Sequence, residues 1–524
     1  MRRTTRIVSA MAALALAVTA CGGGQVRGAA KPDGSSPPGA ASPSGPFVYS
    51  HNLDIVTDWN PATSSSNEII ALQNIYETLT KYNPATQKAE PRLATSWTAA
   101  EDGKTWTFTL RPGVKFHSGK PLDAAAVKAA IEHTVQKKGY AAYIWSAVDK
   151  IETPDASTVK FTLKYPTPLD VVASAGYGAY IYDPTVDFEA GKADGGSGPY
   201  TIDTWQKGRE TELTLKAFDG YWGGWDGPHY KQMQFRVVPE ETTTWQLLQR
   251  GEIDFANRLG PQLFAQAKGA GLQTSETPSF QNLLVLFNTE TVDVKVRKAL
   301  QKAIDYDGLV AATKGAAVAA SGLVPEGLLG HAAGMTPKQD LAGAETLLKE
   351  AGFGPGGKPL ELSMTYAQGD EDQQLLGTLL ATALKKLNVE LTLTPLNWNT
   401  QWEQGKKGKQ DVFVMYWYPD YADAYSWFAN VFRSADPVSF NLSYLADKEL
   451  DAQIDALPEL AATDRAKAEA AYADLQKKII DEQAAVAVPF VQRYRRAFSG
   501  GVEGYVDNPA YPNVVFAYDL KPGK

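Results

Sequence analysis

From residue 283 to residue 417 the chain alternates apolar runs of strand length with amphipathic runs of helix length. LLVLFN (283–288) is followed by VRKALQKAID (296–305), LELSMTYA (360–367) by QQLLGTLLATALKKL (373–387), and VELTLTPL (389–396) by a further helix and then DVFVMYW (411–417). The strand runs are short and rich in Val, Leu, Phe and Tyr. The helical runs carry apolar residues three and four apart. A chain that alternates in this way buries its strands under its helices, which predicts an α/β fold with at least one largely parallel sheet. A long helix over 464–483 and an apolar strand over 485–491 extend the pattern, and no repeat of fixed period underlies it.

The earlier part of the chain is more mixed. In SNEIIALQNIYETLTKYNP the spacing of Ile69, Ile70, Leu72, Ile75, Tyr76 and Leu79 predicts one helix, begun by Ser66 or Asn67 and ended by Asn83-Pro84. TWTFTL alternates as a strand with Trp106, Phe108 and Leu110 on one face. Asp123 is placed to cap an Ala-rich helix reaching His133, and residues 148–166 read as a hairpin turning at Pro154-Asp155. Two strands turning at Lys207-Gly208 follow, then a strand, a helix stopped by Gly251, and the short strand EIDFA.

The first 46 residues are of another kind. Arg2, Arg3 and Arg6 precede a short apolar run, Ile7 to Val18, too short to span a bilayer and flanked as an export signal is. Val18-Thr19-Ala20-Cys21 resembles a lipobox, the site at which bacterial lipoproteins are diacylated on cysteine and cleaved. Cys21 is the only cysteine of the 524 residues, so neither an intrachain disulfide nor a thiolate cluster can form. Residues 1–20 are thus expected to be a lipoprotein signal peptide. Residues 21–46, rich in Gly, Ser, Ala and Pro, are expected to be the lipidated cysteine and a flexible tether, since they hold too little apolar surface to fold. The expected location is extracytoplasmic, on the outer face of the cell membrane.

About 480 residues then remain for the globule, more than one hydrophobic core usually serves. The net charge of −8 and the scattered basic residues argue against nucleic acid as a partner. The five histidines show no HExxH or similar spacing, and there is no G-x-S-x-G elbow, Walker loop or GxGxxG before a helix. No enzyme activity, cofactor or metal site is therefore expected. His117 reads as structural.

The motifs also fall in a telling order. PRLATSWTAAEDGKTWTFTLRPGVKFHSGKPLDAAAVKAAIE, GSGPYTIDTWQKG, YWGG, LLQRGEIDFA, FNT, VRKALQKAIDYDGLV, GLVPEGLLG and DLAGAETLLKEAGF, in sequence, resemble the extracytoplasmic solute-binding proteins of the dipeptide, oligopeptide and nickel class (family 5) of ABC importers. The likeness runs from Phe47 to the C-terminus. It implies a bilobal periplasmic-binding-protein fold of mixed sheets, with lobe 1 over 47–89, 191–287 and 486–524, an inserted subdomain over 90–190, and lobe 2 over 288–485. It also implies a monomer that hands a small ligand, most often a short peptide, to a permease. An oligosaccharide or another amine-bearing metabolite is the alternative cargo, and a secreted glycan-active enzyme the alternative outside the class.

The stretch MYWYPDYADAYSWF (415–428) is where such a ligand is expected. Pro419 ends the strand because it cannot donate to a ladder, leaving Tyr418 to Tyr421 at a strand end, where α/β folds place ligands. In the peptide-binding relatives an Asp three residues after the strand's Trp pairs with the ligand's α-ammonium, and Asp420 stands three after Trp417. Trp417, Tyr418 and Tyr421 would wall the site. The plainer reading is that Asp420 caps the next turn and the rings are core, with Asp423 structural. Trp398 is a candidate platform or a core residue. Asn257 and Arg258 follow a strand end, and Arg258 either grips a carboxylate or is merely solvated. Tyr76, Glu77, Phe280, Asn282 and Phe490 complete the candidates. Gly405 and Val414 stand where oligopeptide binders carry arginines, which leaves a ligand carboxylate unmatched.

Overall fold

The computed structural model describes residues 45–523 except 53–57, 65, 66, 189–194, 206–211 and 514. Cys21, the export signal, nearly all of the tether, Ser66 and the Lys207-Gly208 turn lie outside the described residues.

The chain enters as a fully buried strand, β1 (Phe47–His51), and a seven-residue helix, α1 (Ile69–Ile75), buried on every side. The helix stops well before Asn83: Tyr76 is already extended (φ −108°, ψ 158°), and β2 (Thr80–Asn83) pairs with β3 (Lys88–Pro91). Leu79 and Tyr82 fit a helical stripe and a strand alternation equally well, and the pairing partner decides. A separate sheet follows, built from β4 (Ala94–Ala99), β5 (Thr105–Leu110), β6 (Val148–Asp155) and β7 (Thr158–Leu163) in the order β4-β5-β7-β6. Trp106, Phe108 and Leu110 face its core. Between β5 and β6 lie α2 (Ala124–Lys137), capped by Asp123 on Ala126 N, and a 3-10 helix, Tyr140–Trp145. The β6–β7 turn is Ala156-Ser157, two residues beyond Pro154-Asp155, because the Asp155 carboxylate accepts from Ser157 N and closes the turn there.

After α3 (Leu169–Val172) the main sheet is taken up by β8 (Tyr200–Thr204), β9 (Glu212–Ala217), β10 (Gln232–Val237), α4 (Glu241–Gln249), β11 (Phe255–Ala256), α5 (Pro261–Gly269) and the long β12 (Gln273–Phe287). Next come α6 (Val294–Ala303), α7 (Tyr306–Ala312), β13 (Ala317–Ala319), α8 (Leu341–Glu350), β14 (Leu360–Ala367), α9 (Glu371–Lys385), β15 (Val389–Leu396), α10 (Trp398–Gly405) and β16 (Val412–Trp417). A π-helical turn, Trp427–Phe432, leads to α11 (Lys448–Thr463) and α12 (Arg465–Lys477). Asp464 divides these two helices, ending the first and capping the second on Lys467 N. The chain closes with β17 (Val486–Ala487), β18 (Phe490–Phe498), β19 (Val502–Glu503) and β20 (Lys521–Pro522).

The main sheet runs β15-β14-β16-β12-β18-β11-β1-β10-β9-β8, with β13 on β18 and β17 on β12. It holds two parallel segments, β15-β14-β16 at one end and β11-β1-β10 further along, the latter extended by antiparallel β9 and β8. Antiparallel β12 and β18 join them. Residues 273–278 of β12 pair with β18, the register breaks between Pro278 and Asn282, and residues 282–287 pair with β16. Beyond the break, alternate residues serve two cores. Leu284 and Leu286 join Phe413, Met415 and Trp417 in the larger core, whereas Leu283, Val285 and Phe287 join Val412, Val414 and Phe490 in a second one.

Candidate functional site

Pro419 ends β16, and the chain that follows carries Asp420 into the interior, where 1% of its surface is exposed. Tyr140 and Tyr143 donate to its two carboxylate oxygens, the latter at 2.5 Å, and Asn430 Nδ2 adds a third bond at 3.1 Å. The two tyrosines stand three apart on a 3-10 helix, whose three-residue turn lays them on one side. The Asp420 carbonyl is held as well, by the Tyr511 hydroxyl (2.8 Å) and Gly176 N (3.2 Å). Among the described residues no lysine or arginine pairs with this carboxylate. Burial pushes its pKa up to about 6, and the three neutral donors only partly oppose that rise. A carboxylate accepts about four hydrogen bonds, so three donors leave room for one more.

The turn after Pro419 is capped by Asp423, which accepts from Tyr425 N at 2.7 Å and from the Tyr472 hydroxyl. The capping role considered for Asp420 thus belongs to its neighbour. Tyr418 and Tyr177 hydroxyls meet at 3.1 Å, and Tyr421 is buried beside them in the larger core. Trp417 lies in that core too, its ring 5.0 Å from Phe440. Phe440 also touches Tyr140 (5.0 Å) and Trp402 (4.5 Å), and Trp402 touches Trp398 (5.6 Å). These rings form a continuous aromatic series, from Trp398, 39% exposed at the start of α10, inward to Asp420.

Several sequence candidates are committed elsewhere. Glu77 is no open ligand group: its carboxylate holds Arg92 Nε at 2.8 Å and accepts from Trp222, Tyr221 and Ser197. Tyr76 is buried, with its hydroxyl toward the Trp59 carbonyl. Asn257 spends its side chain on Arg496 and Asn513. Asn282 donates to the Leu323 carbonyl and accepts from Trp427 Nε1, so both ends of its amide are satisfied inside the core. Phe490 packs in the second core and not with the rings around Asp420. Phe280 is buried at the register break, its N–H bonded to the Pro509 carbonyl. Arg258 faces Asp372 at 3.6 Å. A side chain at Gly405 would meet the Phe413 ring at 2.8 Å, and Val414 is buried in the second core, so neither position has space for an arginine.

Sequence reasoning missed Tyr140, Tyr143, Tyr177, Asn430 and Tyr511. The available signal was YAAYIW (140–145), a second aromatic-rich stretch. His117 bonds the Gly198 carbonyl and packs on Phe218, a structural role. Among the described residues no three His, Cys, Asp or Glu side chains gather as a metal site would require, and no helix is long and apolar enough to cross a membrane.

Residues 88–438 match the family described as bacterial extracellular solute-binding proteins, family 5 Middle. The chain is 30% identical over 496 residues to the probable D,D-dipeptide-binding periplasmic protein DdpA of Escherichia coli, covering 91% of this chain and 94% of that one. It is 31% identical over 409 residues to the glutathione-binding protein GsiB of Pectobacterium atrosepticum, covering 74% and 77%. Among solved structures, DppA from Helicobacter pylori in complex with the peptide STSA aligns with a TM-score of 0.79 at 21% identity, over 92% of this chain and 98% of that one. NikA from Brucella suis in complex with Fe(III)-EDTA aligns at 0.78 and 24%, over 91% and 100%. The chain belongs to the family 5 extracellular solute-binding proteins. Its fold is the bilobal α/β fold of periplasmic binding proteins, and its family consists of extracytoplasmic transport binding proteins, not enzymes.

Proposed function

We propose that this protein is the lipid-anchored receptor of an ABC importer, capturing a short peptide by its α-ammonium on Asp420 and delivering it to the permease. The observation that carries this reading is the Asp420 carboxylate itself, buried among three neutral donors and, among the described residues, with no cation beside it. An ammonium taken out of water needs such a partner, and the charge-assisted bond is among the stronger ones available. Trp417, Tyr418 and Tyr421 would form the walls, and the series from Trp398 to Phe440 would receive side chains. The relatives' names, dipeptide and glutathione binding, support peptides as the cargo.

In this reading lobe 1 comprises β1, β8–β11 and the C-terminal part of β18, lobe 2 comprises β14–β16 with their helices, and the β4–β7 sheet belongs to the inserted subdomain. Ligand favours the closed arrangement because both lobes and the insertion contribute contacts. Cys21 carries the lipid, and Cys21→Ser should release the protein from membranes into the medium.

Native mass spectrometry of the full chain, purified gently in detergent, tests the cargo. A ladder of peptide masses released on denaturation is the expected result, and Asp420→Asn should strongly deplete it. A single non-peptide mass would keep the receptor and reject the peptide.

A further inference from the structure

Arg258 follows β11, which pairs with β1 and β18, and faces the first turn of α9, which packs on β14 and β15. Its Nη2 lies 3.6 Å from Asp372 Oδ2, so the pair joins the end of β11, on one side of the β12–β18 pair, to the helix that packs on β14 and β15 on the other. Asp370 caps α9 on Gln373 N, and the Tyr416 hydroxyl donates to Asp372 at 3.2 Å and to Asp370 at 3.4 Å. Glu241, in the first turn of α4, acts on the same guanidinium, and Glu371 acts on Glu241. One cation thus faces three carboxylates, Asp370 and Asp372 on the α9 turn and Glu241 on its own side of the seam. Tyr416 lies two residues before Tyr418, at the strand end that leads to Asp420.

We propose that Arg258 is a positioning residue for closure: its guanidinium ties the end of β11 to the acidic turn of α9, and without it the carboxylates on the two sides repel and the cleft over Asp420 opens. This gives Arg258 a role other than gripping a ligand carboxylate, and it rests on the reading that the protein binds by enclosing its ligand. The side chain is 57% exposed, so the tie is weak enough to be broken and remade at every cycle of binding.

Hydrogen exchange of the full chain without added ligand tests it, comparing Arg258→Met, Arg258→Lys, Asp372→Asn and the Arg258→Met/Asp372→Asn double variant. Peptides spanning 140–145 and 418–421 report the contact over Asp420, while 283–287 report whether the core is intact. Arg258→Met is expected to speed exchange at the first two segments about threefold, within the range of exposed ion pairs, and to leave 283–287 unchanged. Arg258→Lys should stay near wild type, the double variant should equal the stronger single one, and 0.5 M salt should shrink the wild-type advantage. Unchanged exchange in Arg258→Met, a lysine variant that behaves like methionine, or additive effects would overturn the proposal. Each protein is first unfolded, dialysed and refolded to remove co-purified ligand, so a failure of the peptide reading, seen as Asp420→Asn retaining its peptides, leaves this proposal separately decidable.

Discussion

Asp420 and Glu77 are both carboxylates shut away from water, yet the protein treats them in opposite ways. Glu77 is supplied with a guanidinium, an indole N–H and two hydroxyls; its ion pair with Arg92 ties the segment before β2 to the end of β3, and Tyr221 and Trp222 bond it to the loop that carries them. Asp420 receives two hydroxyls and an amide and, among the described residues, no cation. The first arrangement is finished, and the second stays electrically incomplete. A buried charge left without a counter-charge costs stability, and such a cost is concentrated where a ligand is to be taken.

The largest expected effect comes from making Glu77 resemble Asp420. Arg92→Met leaves its carboxylate buried and unpaired, and chemical denaturation should show a loss of about 3 kcal/mol or more. The converse concerns the empty protein. The folded-state pKa of Asp420 lies near 6 against 3.8 for the ordinary side chain, so the folded protein holds this proton more tightly than the unfolded chain. The contribution is therefore favourable at low pH and is lost as pH rises through about 4 to 6, on the order of 2–3 kcal/mol in all. Asp420→Asn should accordingly melt higher than wild type at pH 8, with the difference vanishing near pH 4.

Ligand binding should move the other way across the same window, because an ammonium needs the ionised acid. Peptide affinity measured by calorimetry should rise from pH 5 to pH 7 in the wild type, and Asp420→Asn should weaken it by about 2 kcal/mol at pH 7. The smallest effect is that of Tyr140→Phe. Removing one donor to the ionised carboxylate should raise its pKa further and shift the midpoint of peptide binding upward, at a stability change of about 1 kcal/mol.

Much of the α/β pattern was legible because runs such as LLVLFN and LELSMTYA have a single period and clear ends. The segment 66–84 was not, since Leu79 and Tyr82 satisfy both periods and only pairing with β3 selects the strand. Asp420 could be found from a strand stopped by proline together with the family likeness. Its donors could not, because Tyr140 and Tyr143 lie nearly 280 residues earlier in the chain. Asn282 and Phe490 show the complementary limit: a strand's side chains alternate in sequence, but which face meets which core depends on a register that sequence leaves open.

The place of β18 has a consequence for how the molecule is made. Residues 490–498 fill the gap between β11 and β12, so until they emerge the strands of residues 47–256 have no neighbour on that side, although more than half the chain has already been synthesised. Strands β14 and β15, by contrast, can pair with each other as soon as they appear, and β16 then joins them to β12, which has already been made. Synthesis from the N-terminus therefore completes the younger half of the sheet first and the older half last, with the final strand setting when the protein reaches its native form.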